Sequence, residues 1–99
     1  MMQAVWKGQV LAESDATQVV EGNHYFPAES VDRRYLSPSP TTSFCGWKGD
    51  CSYYHVQVDG ATNADAAWYY PAPYARAEHL RDHVAFWKGV TVREKPSAT

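Results

Sequence analysis

The sequence predicts a mainly β domain of short antiparallel strands with one short helix, and three features carry that prediction. Between Ser52 and Val58, Tyr54, Val56 and Val58 alternate with Tyr53, His55 and Gln57, the period of a half-buried strand. Gly22-Asn23 and Asp59-Gly60 lie beside apolar runs, where a tight turn needs residues that tolerate positive φ. One segment, residues 28–36, has helical punctuation and spacing.

In chain order, residues 3–7 and 9–14 read as two strands about Gly8. Thr17 to Glu21 and His24 to Phe26 flank Gly22-Asn23 as a hairpin. Pro27-Ala28-Glu29 opens the helix: proline suits a first turn, glutamate favours the N-terminal dipole, and Val31 and Tyr35 fall on one face. Ser37-Pro38-Ser39-Pro40 ends it, because proline supplies no N–H donor. Val56-Gln57-Val58 runs into Asp59-Gly60 and a polar loop reaching Asp65. Residues 66–70 form another strand, closed by Pro71 and Pro73. One or two helical turns are expected from Ala77 to His83, then a strand pair, Val84 to Lys88 with Val90 to Arg93, joined near Gly89. Residues 1–94 make one domain and 95–99 a frayed tail.

Composition narrows the function classes. Apolar residues are 44% of the chain and aromatic residues 14%, enough to fill a core without metal or disulfide. Nine basic against eleven acidic residues give a net charge of −2 with no basic stripe, so nucleic acid is not an expected partner. No signal peptide or membrane-length apolar run is present, and the expected setting is cytoplasmic.

The unusual chemistry is concentrated in residues 45–54, Cys-Gly-Trp-Lys-Gly-Asp-Cys-Ser-Tyr-Tyr. Gly46 and Gly49 let the backbone turn about Trp47 and Lys48. Cys45 is the candidate reactive thiol, with Lys48 near enough in sequence to lower its pKa; the alternative is a small packed hydrophobe. Lys48 is itself a candidate catalytic amine, a ligand cation or a structural partner for loop carbonyls. A pocket for a flat ligand would use Trp47, Lys48, Gly49, Tyr54 and Trp68; the alternative is that these rings are core. Cys45, Cys51, His79 and His83 lack zinc-site spacing, so no metal or cofactor is expected. Hydrolase, P-loop and dinucleotide motifs are missing. Trp-Lys-Gly recurs at Trp6, Trp47 and Trp87 without similarity in the flanks, which reads as a ring inward, a lysine outward and a turn rather than a repeat.

Several stretches together resemble the small bacterial and fungal family called domain of unknown function 427. They are Val5-Trp6, Leu11-Ala12-Glu13-Ser14, Tyr25-Phe26-Pro27, Cys45-Gly46-Trp47-Lys48-Gly49, Tyr53-Tyr54, Ala66-Ala67-Trp68-Tyr69-Tyr70-Pro71 and Val84-Ala85-Phe86-Trp87. The family usually has proline at Gly46 and a small residue at Cys51, which implies a packing role for Cys51. The resemblance implies a compact antiparallel domain of the β-tent type, similar to methionine sulfoxide reductase B. Relatives of that fold hold zinc with two C-x-x-C pairs, and this chain has none. A nucleotidyl-transfer activity would need a Gly-Ser loop followed by paired aspartates, which are also missing.

Three functions stay open at this point. The first is a binding module with an aromatic pocket for a small molecule or peptide group. The second is a thiol or amine enzyme using Cys45 or Lys48, and the third a protein-interaction domain without a pocket.

Overall fold

The architecture is that of a computed structural model, which describes residues 1–96. The strands, in chain order, are β1 (Met2–Trp6), β2 (Gln9–Ser14), β3 (Gln18–Val20), β4 (Asn23–Pro27), β5 (Leu36–Cys45), β6 (Gly49–Val58), β7 (Ala61–Tyr69), β8 (His83–Phe86) and β9 (Thr91–Glu94). They form a three-stranded sheet of order β2-β1-β9 and a six-stranded sheet of order β3-β4-β8-β7-β6-β5. Every pairing is antiparallel. The mainly β, antiparallel reading holds.

Turn chemistry explains the hairpins. Lys7-Gly8, Glu21-Gly22 and Asp59-Gly60 each place two successive residues at positive φ, between 49° and 79°. Two-residue turns of that conformation match the right-handed twist of the strands they join. The second hairpin therefore turns one residue earlier than expected: Asn23 already pairs with Val20. No polar loop runs from Asp59 to Asp65, because β7 starts at Ala61 directly after the turn.

The short helix expected over residues 28–36 resolves into two single 3-10 turns, Ala28–Ser30 and Arg33–Tyr35. Val31 between them is drawn into a β-bridge with Ala12, and the Asp32 N–H donates to Leu11 O at 2.8 Å. Asp32 also accepts from the Arg34 N–H with its own side chain, which competes with α-helical bonding. The following prolines begin a strand rather than stop a helix. β5 is an edge strand, where Pro38 and Pro40 need not donate to a second neighbour. A further 3-10 segment, Ala75–Leu80, takes the place of the helical turns expected from Ala77 to His83.

The last two strands do not pair with each other. β8 lies between β4 and β7, whereas β9 joins β1 in the other sheet, and Lys88-Gly89 at positive φ carries the chain across. The Lys95 N–H donates to Met1 O at 2.7 Å; residues 97–99 of the expected frayed tail lie outside the described residues.

The main core fills the space between the sheets. Ala4, Leu11 and Ala12 meet Phe26, Val56, Val58, Ala67, Val84 and Phe86 there. A second cluster, Tyr25, Cys51, Tyr70, Ala77, Leu80 and Ala85, forms on the opposite face of the six-stranded sheet. Because side chains alternate along a strand, Tyr25 and Phe26, or Ala85 and Phe86, serve different clusters.

Candidate functional site: an aromatic cavity around a buried lysine

The second cluster does not close completely. It leaves a cavity of about 270 Å³ lined by Asn23, Tyr25, Ser43, Lys48, Cys51, Tyr53, Trp68, Tyr70 and Trp87. Residues two apart supply the walls: Asn23 and Tyr25 on β4, and Cys51 and Tyr53 on β6. Trp68 on β7 and Tyr70 just after it repeat that spacing. Trp68 meets Tyr25 edge-on at 5.9 Å between ring centroids and Trp87 edge-on at 5.5 Å. Its indole N–H donates to the Tyr25 hydroxyl at 3.2 Å. Tyr53 and Ser43 share a hydrogen bond of 2.8 Å.

Lys48 is 6% exposed. Its ammonium donates to the Glu21 carboxylate and sits 5.1 Å and 5.5 Å from the Trp47 and Tyr70 ring centroids. Burial pulls its pKa down, but the Glu21 hydrogen bond and the nearby Tyr25 and Cys45 outweigh it, and the net displacement is upward. The backbone beneath is fixed by the Tyr74 N–H donating to Lys48 O at 3.0 Å. Gly49 has φ +109°, and a Cβ there would stand 3.3 Å from Ala72 O, so this position requires glycine. Gly46, expected to share that role, is not in the left-handed region, and a Cβ there would meet nothing within 4 Å.

The other polar groups are held neutral. Burial pushes up the Cys51 thiol and the Tyr25, Tyr53 and Tyr70 phenols. An amine or thiol nucleophile needs the opposite displacement.

Two bulges flank β6 at the rim. Between Pro38 and Thr42 three β5 residues oppose Tyr53, and between Asn63 and Ala67 three β7 residues oppose His55. Asp65, at φ 56°, ties the bulges together by accepting from the Ser39 and Thr41 hydroxyls. Its carbonyl accepts the Trp87 indole N–H at 2.6 Å, which orients that ring over the opening.

The structure divides the residues singled out from sequence. Lys48 and Trp68 line the cavity together. Trp47 lies under the ammonium without lining the cavity, and Gly49 is buried in the supporting turn. Cys45 is half-buried against the second cluster and is not a lining residue. Tyr54 faces the other way. It stacks on Tyr69 at 4.6 Å, accepts a hydrogen bond from Arg33 at 2.9 Å, and borders a separate cavity of about 240 Å³.

Both cysteines are free thiols. Cys45, Cys51, His79 and His83 form no metal-binding group among the described residues. The middle Trp-Lys-Gly inverts the expected pattern, since Lys48 points inward, and at the last one Trp87 is 43% exposed. Asn23, Tyr25, Trp87 and the partner Glu21 were not singled out as site residues from sequence. The signal available was strand parity, which puts Tyr53 and Tyr70, not Tyr54 and Tyr69, on the face of Cys51 and Trp68.

Among the described residues no helix is long and apolar enough to cross a membrane. No curated protein matches this chain. The family described as Domain of unknown function (DUF427) matches residues 1–95, and with Cys45-Gly46-Trp47-Lys48-Gly49 forming the turn that carries the buried ammonium, the chain belongs to that family.

Proposed function

We propose that this protein is a binding module and that the Lys48 cavity receives a flat small molecule or a planar peptide group. One observation carries the reading: aromatic rings surround a gap into which a buried ammonium is built. Trp68, Trp87 and Tyr53 offer ring faces and edges, and the polar groups between them would fix orientation. At about 270 Å³ the cavity is just below the usual range for drug-sized ligands, so the ligand is small. The raised pKa of Lys48 and the place of Cys45 outside the cavity lining support binding over amine or thiol catalysis. The cavity itself supports binding over a pocketless interaction surface.

The test is a tryptophan-fluorescence titration with indole, benzamide and benzoate on the native protein and on Trp68→Leu. Saturable binding that disappears in Trp68→Leu, with an unchanged far-UV spectrum, is expected. Absence of binding by all three compounds, or equal binding by the variant, would refute the reading.

A further inference from the structure

We propose that the cavity selects a flat ring bearing an anionic group, and that Glu21 is a tethered competitor for the same ammonium. This rests on the cavity being a binding site and adds the charge of the ligand and the residue that restrains its entry.

The two members of the ion pair are built unequally. Lys48 is buried, with its stem in the wall and its ammonium against two rings. The Glu21 side chain is 55% exposed, and among the described residues Lys48 is its one hydrogen-bond partner. Glu21 sits at φ 54° in the turn after β3, a three-residue edge strand whose Gln18 and Val19 are exposed. Rotating its carboxylate into water breaks one hydrogen bond and moves no packed side chain. The cation is thus a fixture of the cavity wall, while its anion is exposed and held by a single side-chain contact.

The lining chemistry matches an incoming anion. Lys48 is the one charged residue among the lining residues, and no carboxylate faces the space. Asn23 also lines the cavity, and among the described residues its side chain has no hydrogen-bond partner, which leaves its amide free to donate. The Tyr25 hydroxyl accepts from Trp68 and keeps its own proton to donate. A carboxylate replacing that of Glu21 would meet Lys48, with these donors at hand and its ring among Trp68, Trp87 and Tyr53. A neutral ring would use the walls but gain nothing from displacing Glu21. A cation would meet the ammonium.

The experiment measures benzoate and benzamide affinities by NMR titration for the native protein, Glu21→Gln, Glu21→Asp and Lys48→Met. Removing the competitor should raise benzoate affinity about tenfold or more in Glu21→Gln, the scale of one charge-assisted hydrogen bond, and leave benzamide unchanged. Glu21→Asp, with a shorter reach, should give a smaller gain. Lys48→Met should erase the preference for benzoate over benzamide. Because Glu21 is exposed, its two variants test the proposal even if Lys48→Met fails to fold.

N-acetylphenylalanine against its amide separates a peptide terminus from a free aromatic acid, and a preference for either acid supports the proposal. Benzamide binding with no benzoate preference in any variant would overturn the anion inference alone. Failure of every probe in every variant would overturn the cavity reading with it.

Discussion

The two faces of the six-stranded sheet are made from alternate residues of the same strands and have opposite chemistry. Toward the three-stranded sheet stand Phe26, Val56, Val58, Ala67, Val84 and Phe86, none with a polar side-chain atom. On the opposite parity of the same strands stand Tyr25, Cys51, Tyr53, Trp68 and Ala85, with Tyr70 beside them. The first face is covered by a whole sheet. The second is covered only in part, by Ala77 and Leu80 of the 3-10 segment, and the remainder is the cavity. A core face needs volume and nothing else. Rings with hydroxyl and N–H edges around an open space are suited to a guest, since each buried polar edge must find a partner.

Substitutions on the two faces should differ in size and in kind. Phe26→Ala removes a fully buried ring that meets Phe86 edge-on at 5.8 Å, and it should cost about 3–5 kcal/mol in urea denaturation without changing ligand preference. A loss under about 1 kcal/mol would mean that the inter-sheet core does not carry the stability assigned to it.

On the cavity face the two halves of the ion pair should behave unequally. Glu21→Gln strands a buried ammonium and should cost about 1–3 kcal/mol. Lys48→Met keeps an apolar stem and releases Glu21 to water, so its cost should be smaller. Equal losses would show that Glu21 is as firmly held as its partner.

Alkaline pH should weaken the protein mainly through the cavity face. Cys51, Tyr25, Tyr53, Tyr70 and Lys48 all have folded pKa values above their ordinary ones, and among the core-side rings Tyr69 is raised too. A raised folded pKa means that the unfolded chain loses its proton first, so stability is full below the unfolded value and falls as pH rises. The decline should begin near the ordinary thiol value of about 8.5 and steepen above about 10, where tyrosine and lysine titrate. Melting temperatures measured from pH 7 to 11 check this. Cys51→Ala should remove the first part of the decline.

The smallest effect is kinetic. A thiol-specific reagent should label half-buried Cys45 before Cys51, which is buried and held protonated. Labelling Cys51 first would place it on an open surface.

Much of this was legible in the residues. Strand alternation and Gly-containing turns are local signals, and they located β1, β2 and the β3–β4 hairpin to within a residue or two. The helix over residues 28–36 was not legible, because Val31 is captured by Ala12, a partner distant in sequence. The sheet change at Lys88-Gly89 is equally hidden, since that turn has the same left-handed residues as a hairpin turn. Lys48 and Trp68 stood out by composition. Their neighbours Tyr25 and Trp87 come from strands that only the sheet order brings together, and alternation alone separates Tyr53 from Tyr54 without saying which of the two faces is the open one.

The most direct measurement is the ¹H–¹⁵N spectrum of the four tryptophan indoles during titration with benzoate. Trp68 and Trp87 line the cavity, whereas Trp6 packs against the inter-sheet core. The expected result is saturable movement of the Trp68 and Trp87 signals with Trp6 unmoved, at lower benzoate concentration in Glu21→Gln than in the native protein. Movement of Trp6 in place of Trp68 and Trp87, or no movement at any concentration in either protein, would contradict a binding site on the Lys48 face.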